Sequence, residues 1–213
     1  IIGDCQVKPN ENQDHLLHIG RYLADKKPDI VVCIGDFYDF PSLSSYDKGK
    51  KCFEGRRLKE DIEAGNAAKE WMPSPLHALQ QRQKETRKKV STPRIAFTMG
   101  NHCDRFDRLA NDQPELAGIV GTETLNLEKY GWEVYPFLKP VEIEGIFFVH
   151  YLANPMSGKP YAGTALGQLK TVGRSFVVGH KQCLDMALHP RLDGKMQLGI
   201  VNGASYPHFE IYK

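Results

Sequence analysis

The sequence predicts an α/β fold in which two packed sheets carry helices on their outer faces. The chain opens in a β-α-β order, which implies a parallel strand pair. Its second half changes to closely spaced, strand-like runs divided by turn residues. Several apolar runs also end in a glycine followed by a carboxylate, amide or imidazole side chain, which is how α/β sheets present ligand groups at the carboxyl ends of strands. At 213 residues the chain is one domain with an insertion, long enough for a sizeable core.

Ile1 to Asp4 reads as the end of a buried strand, clipped at its start because no methionine precedes it. Asn10 to Asp25 reads as a helix with Leu16, Ile19 and Leu23 on one face and Asn10 or Asn12 as its cap. Ile30 to Ile34 is an apolar, β-branched run of the kind that is buried on both faces. Phe40 to Ser45 is loop. Arg56 to Met72 and Leu76 to Lys89 are weakly amphipathic helices broken by Pro73-Ser74-Pro75, and the stretch 41–92 is taken as a basic helical insertion. Arg94 to Met99 follows as a strand, then a short helical region around Phe106 to Ala117.

From Trp132 the runs are shorter: Glu133 to Phe137, Val141 to Glu144 and Ile146 to Val149 read as strands. Tyr161 to Val172 reads as a helix. Ser175 to Val178, Leu184 to Leu188, Met196 to Val201 and Phe209 to Tyr212 read as strands, with turns at Asp193-Gly194 and Asn202-Gly203.

Hydrophobic content of 41% and charged content of 25% are ordinary for a soluble globular protein. No apolar run is long enough to span a bilayer and no signal-peptide pattern is present, so no membrane partner is expected. Five cysteines at irregular spacing do not make a disulfide framework, which points to a reduced, cytoplasmic protein. Cys5, flanked by Asp4 and Gln6, reads as a small buried hydrophobe. The net charge of +2 is unevenly spread: Lys48 to Lys89 holds twelve Lys/Arg against six Asp/Glu. Such a segment suits an anionic substrate, and equally a solvated helical face.

Five segments carry metal-ligand residue types: Gly3-Asp4-Cys5-Gln6, Gly35-Asp36-Phe37-Tyr38-Asp39, Gly100-Asn101-His102-Cys103-Asp104, Val149-His150 and Gly179-His180-Lys181-Gln182. All but the His150 segment place glycine immediately before the key residue, where it would let the backbone turn sharply. Asp, Asn and His converging from separate strands are what a divalent transition-metal centre needs.

In these residues and their order the chain resembles the calcineurin-like metallophosphoesterases, whose motifs run D-x-H, G-D-x-x-D, G-N-H-[DE], H and G-H-x-H. The resemblance spans Asp4 to Gln182. The helical insertion and the run from Gly100 to Arg105 are most similar to small bacteriophage-encoded members. The resemblance implies a four-layer αββα sandwich of two mixed β-sheets flanked by helices. It also implies a phosphoester hydrolase with a dinuclear centre of two divalent metal ions, Mn preferred, with Mg, Fe, Zn or Ni as other occupants. Asp36 would bridge the metals, Asn101, His150 and His180 would complete one shell, and Asp4, Gln6 and Gln182 the other. His102 matches the catalytic histidine, with Asp39 orienting its neighbours. Arg105, Lys181 and Tyr151 are candidate substrate-binding residues.

Three positions depart from the family pattern. Gln6 and Gln182 stand where histidines complete the first metal's shell, which makes that shell all-oxygen and favours harder cations. One firmly bound and one exchangeable ion are therefore expected. Cys103 replaces the usual acid after G-N-H, with Asp104 next to it as a substitute, and Tyr151 replaces a small residue and narrows the pocket. The leading expectation is a phosphodiesterase, acting as a nuclease or nucleotide hydrolase. The alternatives are a phosphomonoesterase or protein phosphatase of the same fold, or a degenerate single-metal module that binds nucleic acid or another partner.

Overall fold

The structure is a computed structural model that describes residues 1–206. Its elements are α1 (Asp14–Lys26), β1 (Ile30–Cys33), α2 (Leu58–Trp71), α3 (Ser74–Glu85), β2 (Arg94–Thr98), α4 (Asp104–Asp112), β3 (Trp132–Tyr135), β4 (Val141–Ile143), β5 (Ile146–Phe148), α5 (Ala165–Val172), β6 (Phe176–Val178), β7 (Asp185–Pro190) and β8 (Met196–Val201). The strand expected at Phe209 to Tyr212 lies outside the described residues.

The strands form two sheets, a three-stranded one ordered β1-β2-β3 and a five-stranded one ordered β4-β5-β6-β8-β7. The second sheet is mixed, but the first is wholly parallel in its named strands, against the expectation of two mixed sheets. Every connection within the first sheet carries helical turns, and such crossovers return the chain in the same direction. Ile2 extends this sheet through a parallel bridge to Cys33, so the opening β-α-β order does produce a parallel pair.

The period-two alternation of the strands sorts their side chains into three cores. Val31, Cys33, Phe97 and Trp132 face α1, α2 and α4. Val32, Ile34 and Ala96 face Val141, Ile143, Phe148 and Val177 of the second sheet. Val149, Phe176, Val178 and Val201 face Ala165 and Leu169 of α5. The layers therefore run helices, sheet, sheet, helix, and β1 reads as an unbroken apolar run because both of its faces are covered.

Element ends differ from the sequence reading for local reasons. Helix α1 begins at Asp14 because the Asn12 side chain accepts the Asp14 N–H at 2.7 Å outside the helix, while Asn10 has φ 62°. Helix α5 begins only after Thr164, whose hydroxyl caps the Gly167 N–H at 3.2 Å. Helices α2 and α3, read as an insertion on the scaffold, pack into the first core: Ala68, Met72 and Leu76 are buried. The buried Lys69 ammonium donates to the Leu125 carbonyl at 2.7 Å, tying the 122–130 segment to α2. Among the described residues no helix is long and apolar enough to cross a membrane.

Helix α1 meets the α2–α3 junction at Gly20, where a Cβ would lie 2.0 Å from the Met72 carbonyl oxygen. Alanine normally stabilises a helix interior over glycine by about 1 kcal/mol. Here Gly20→Ala is expected to destabilise the protein by about 2 kcal/mol through overpacking. Urea unfolding checks the sign, and a rise in stability would show that α1 can move away from Met72.

Candidate metal centre

Four strand ends deliver the site. The chain leaves β1 through Gly35 into Asp36, β2 through Gly100 into Asn101 and His102, β5 through Val149 into His150, and β6 through Gly179 into His180. Asp36 and His150 are buried, whereas Asn101, His102 and His180 are half-buried. The backbone is held in the left-handed region at Gln6 (φ 44°), Asp36 (φ 47°), His180 (φ 67°) and Gln182 (φ 55°). Sparsely populated backbone of this kind persists only where surrounding bonds over-determine it. The Asp36 carbonyl does so, accepting the Gln6 N–H at 2.8 Å and the Cys5 N–H at 3.1 Å.

The glycines before these residues serve mainly close approach. Only Gly35, with φ 105°, has a backbone that disfavours a side chain. A Cβ at Gly100 would stand 2.0 Å from Asp36 Oδ1, and one at Gly179 would stand 2.7 Å from Asp4 Oδ1. Segments from both sheets thus press directly on the two carboxylates.

Asp36, His150 and His180 each offer one ligand atom within 4.8 Å of the others. His150 Nε2 lies 3.1 Å from Asp36 Oδ2 and 2.9 Å from Asn101 Oδ1, and His180 Nδ1 lies 2.8 Å from the same amide oxygen. The other nitrogen of His150 is fixed 2.9 Å from the Ile34 carbonyl, which orients the ring as carbonyls orient metal-binding imidazoles. Asp4 Oδ2 is buried with no hydrogen-bond partner among the described residues. The Asp36 carboxylate, the Asn101 amide oxygen and the two imidazoles together fit a divalent cation.

The electrostatics follow from burial and proximity. Burial disfavours the imidazolium of His150, but Asp36 and Asp4 outweigh it and raise its pKa to about 9. Burial works against the Asp36 carboxylate as well, yet His150 and His102 hold it below the usual carboxylate range. Burial raises Asp4, against the pull of His150. Burial and the adjacent His150 lower His180 to about 4.

Beside this cluster lies a second group. His102 Nδ1 is 2.5 Å from Asp39 Oδ1, and the His102 N–H donates to Asp36 Oδ1 at 2.8 Å. Arg105 reaches the Asp39 carbonyl at 3.0 Å and His102 Nε2 at 3.3 Å. The Tyr151 ring stands 4.9 Å from His180 and 5.9 Å from His150, with Phe137 edge-on behind it at 5.5 Å.

Other expected residues lie elsewhere. Lys181 Nζ donates to the Gly163 carbonyl, so its ammonium ties down the loop before α5. Asp104 pairs with Arg108 at 3.1 Å on α4 instead of standing in for the missing acid. Cys5 and Cys103 are buried thiols pushed up by burial, while Cys183 is exposed. The basic C-terminal end of α3 leads to the start of β2, opposite the strand ends that carry the site. Gln6 lies in the pocket wall beside α1, and both Gln6 and Gln182 keep left-handed backbones.

The sequence reading missed the return of the chain to Asp4. Ser205 accepts the Gly3 N–H at 2.9 Å through its hydroxyl and donates its own N–H to the Asp4 carbonyl at 2.8 Å. Gly3 is required there, since a Cβ would lie 2.0 Å from the Gly203 carbonyl oxygen.

No family model matches the chain, and no solved structure matches it. It is 28% identical over 185 residues to the Gene 54 protein of Mycobacterium phage D29, an alignment covering 84% of this chain and 67% of that protein. It is 27% identical over 185 residues to the Gene 54 protein of Mycobacterium phage L5, with the same coverage.

A cation reaching this cluster must displace the proton that Asp36 helps to hold on His150. Below pH 9 the metal-free imidazole is charged, so affinity for Mn²⁺ is expected to rise with pH, by about tenfold per unit between pH 6.5 and 8.5. Competition against a chelating dye measures this, and a flat profile would show that His150 gives up no proton to the metal.

Proposed function

We propose that the chain is a metal-dependent phosphoester hydrolase of the calcineurin-like metallophosphoesterase type, acting on phosphodiesters such as nucleotide or nucleic-acid esters. The observation that carries this reading is the convergence of Asp36, Asn101, His150 and His180 from four strand ends, in the chain order of that family's motifs. The helix-sheet-sheet-helix layering supports the same type. The phage origin of the two relatives agrees with the resemblance to bacteriophage members.

A divalent ion held by Asp36, Asn101, His150 and His180 would polarise a phosphoryl oxygen and make water a better nucleophile. The chain's own residues supply the rest. The hydrogen bonds assign the proton of His102 to Nδ1, facing Asp39, and leave Nε2 accepting from Arg105. An anionic ester would draw the Arg105 guanidinium onto its own oxygens by charge-assisted bonds. That frees His102 Nε2 to take up a proton from water and pass it to the departing oxygen, with Asp39 stabilising the doubly protonated ring in between. Tyr151, packed over both imidazoles, limits the cleft on that side.

The proposed centre is asymmetric. Asp36 with two imidazoles suits Mn, Fe or Zn, whereas Asp4 with the neutral amides of Gln6 and Gln182 offers only oxygen and suits Mg²⁺ or Mn²⁺. Metal titration by calorimetry with elemental analysis is expected to find one tightly held ion per chain and a second that dialysis removes. Equal, stable occupancy of two positions by zinc would contradict it.

Turnover of an aryl phosphodiester with Mn²⁺ tests the activity, run beside the matching aryl phosphomonoester. His102→Ala is expected to lower kcat by roughly 10²–10⁴-fold. Asn101→Ala is expected to abolish turnover by loosening the metal. Preference for the monoester would make the protein a phosphomonoesterase, and no turnover of either ester by folded protein with any divalent metal would sink the hydrolase.

A further inference from the structure

Strand β7 ends the second sheet on one side, and among the described residues no strand pairs with its outer edge. At the hairpin, the Arg191 N–H donates to the Lys195 carbonyl at 2.9 Å, which fixes the phase of the β7–β8 ladder. Antiparallel pairs alternate between those that exchange backbone bonds and those that do not. In this register Asp185, Ala187 and His189 therefore bond to β8, and the backbone groups of Met186 and Leu188 point outward. The far side of β8 agrees. Leu198, opposite Leu188, gives its N–H to the Ser175 hydroxyl at 3.1 Å, away from β7.

The same two residues are apolar and exposed. Met186 and Leu188 are 61% and 60% exposed, beside Leu184 and Met196 at 71% and 54%. Met186 lies opposite Ile200, which packs into the core between the sheets, while Ala187 packs on the α5 side. The five-stranded sheet is wider than the three-stranded one, so its inner apolar face continues onto β7 without cover from the described residues. Edge strands are normally blunted by charge, by proline or by a bulge. Here a proline comes only at the last position of the strand, Pro190.

We propose that β7 is a dimer interface, at which two copies of the chain join their β7 strands antiparallel about a twofold axis at Ala187. The strand's own sequence selects a second copy as its occupant. With the axis at Ala187, Met186 of one copy stands opposite Leu188 of the other, and the two exchange both of their outward backbone bonds. Asp185 then stands opposite His189 of the second copy. One Asp185 oxygen accepts the Ala165 N–H at 2.7 Å, and its other oxygen would meet that imidazole. An axis at Leu188 would set Met186 against Pro190, which has no N–H to give. An axis at Met186 would set Asp185 against Ala187 and lose the polar pair. The interface does not depend on the hydrolase reading.

Sedimentation equilibrium of the full chain at about 1–100 μM measures the association, and a dimer is expected within that range. Leu188→Lys puts a charge on the exposed edge without touching the core, and should weaken the dimer about tenfold or more. Far-ultraviolet circular dichroism checks that this variant is folded. The axis is located by crosslinking under mild oxidation, after the exposed Cys52 and Cys183 are changed to serine. Facing residues of a pair that exchanges no backbone bonds stand about 4.5 Å apart at Cα, within disulfide reach, so Ala187→Cys should link two copies. His189→Cys, off the axis, should not. A monomer at every concentration would mean that something other than a second copy covers the edge, and would overturn the proposal. So would a dimer indifferent to Leu188→Lys, or one that crosslinks through His189→Cys and not through Ala187→Cys.

Discussion

A buried carboxylate must find partners, and Asp36 finds them on every side. Its carbonyl takes two N–H groups from the first motif loop, Oδ1 takes the His102 N–H, and Oδ2 faces His150. Those partners come from both sheets, so the charge that would be most costly to leave unpaired is also what draws the motif segments together. Gly100 leaves Asp36 the room to sit there. Packing helps to set these loops too, since Cys5, Phe37, Tyr38, Met99 and Cys103, next to the motif residues, lie in the first core.

Much of the fold was legible because strand periodicity leaves its record in adjacent residues. Ile30 to Ile34 reads as a two-faced buried strand, and the structure divides its residues between two cores accordingly. Glycine-plus-ligand segments were legible for the same reason. The chemical reason for most of those glycines was not, since the atoms they make room for belong to residues far away in sequence, such as Asp36 for Gly100 and Asp4 for Gly179.

What depends on distant pairing could not be read. The weak amphipathicity of α2 and α3 suggested an appendage, yet Gly65 sits against the Tyr38 ring and Gly20 against Met72, contacts made by absent side chains that no periodicity records. Lys181 follows a motif histidine but turns to the Gly163 carbonyl. Where the backbone is left-handed, as at His180 and Gln182, side-chain direction departs from simple alternation as well.

The hydrogen bond from Gly3 to Ser205 spans 202 positions of the chain. Contacts of such separation close the largest loop available and carry the steepest entropic cost before anything rewards them. The bracket around Asp4 therefore relies on the elements between to bring residues 3 and 205 together. A change near residue 205 would thus be felt at Asp4, although almost the whole described chain lies between them in sequence.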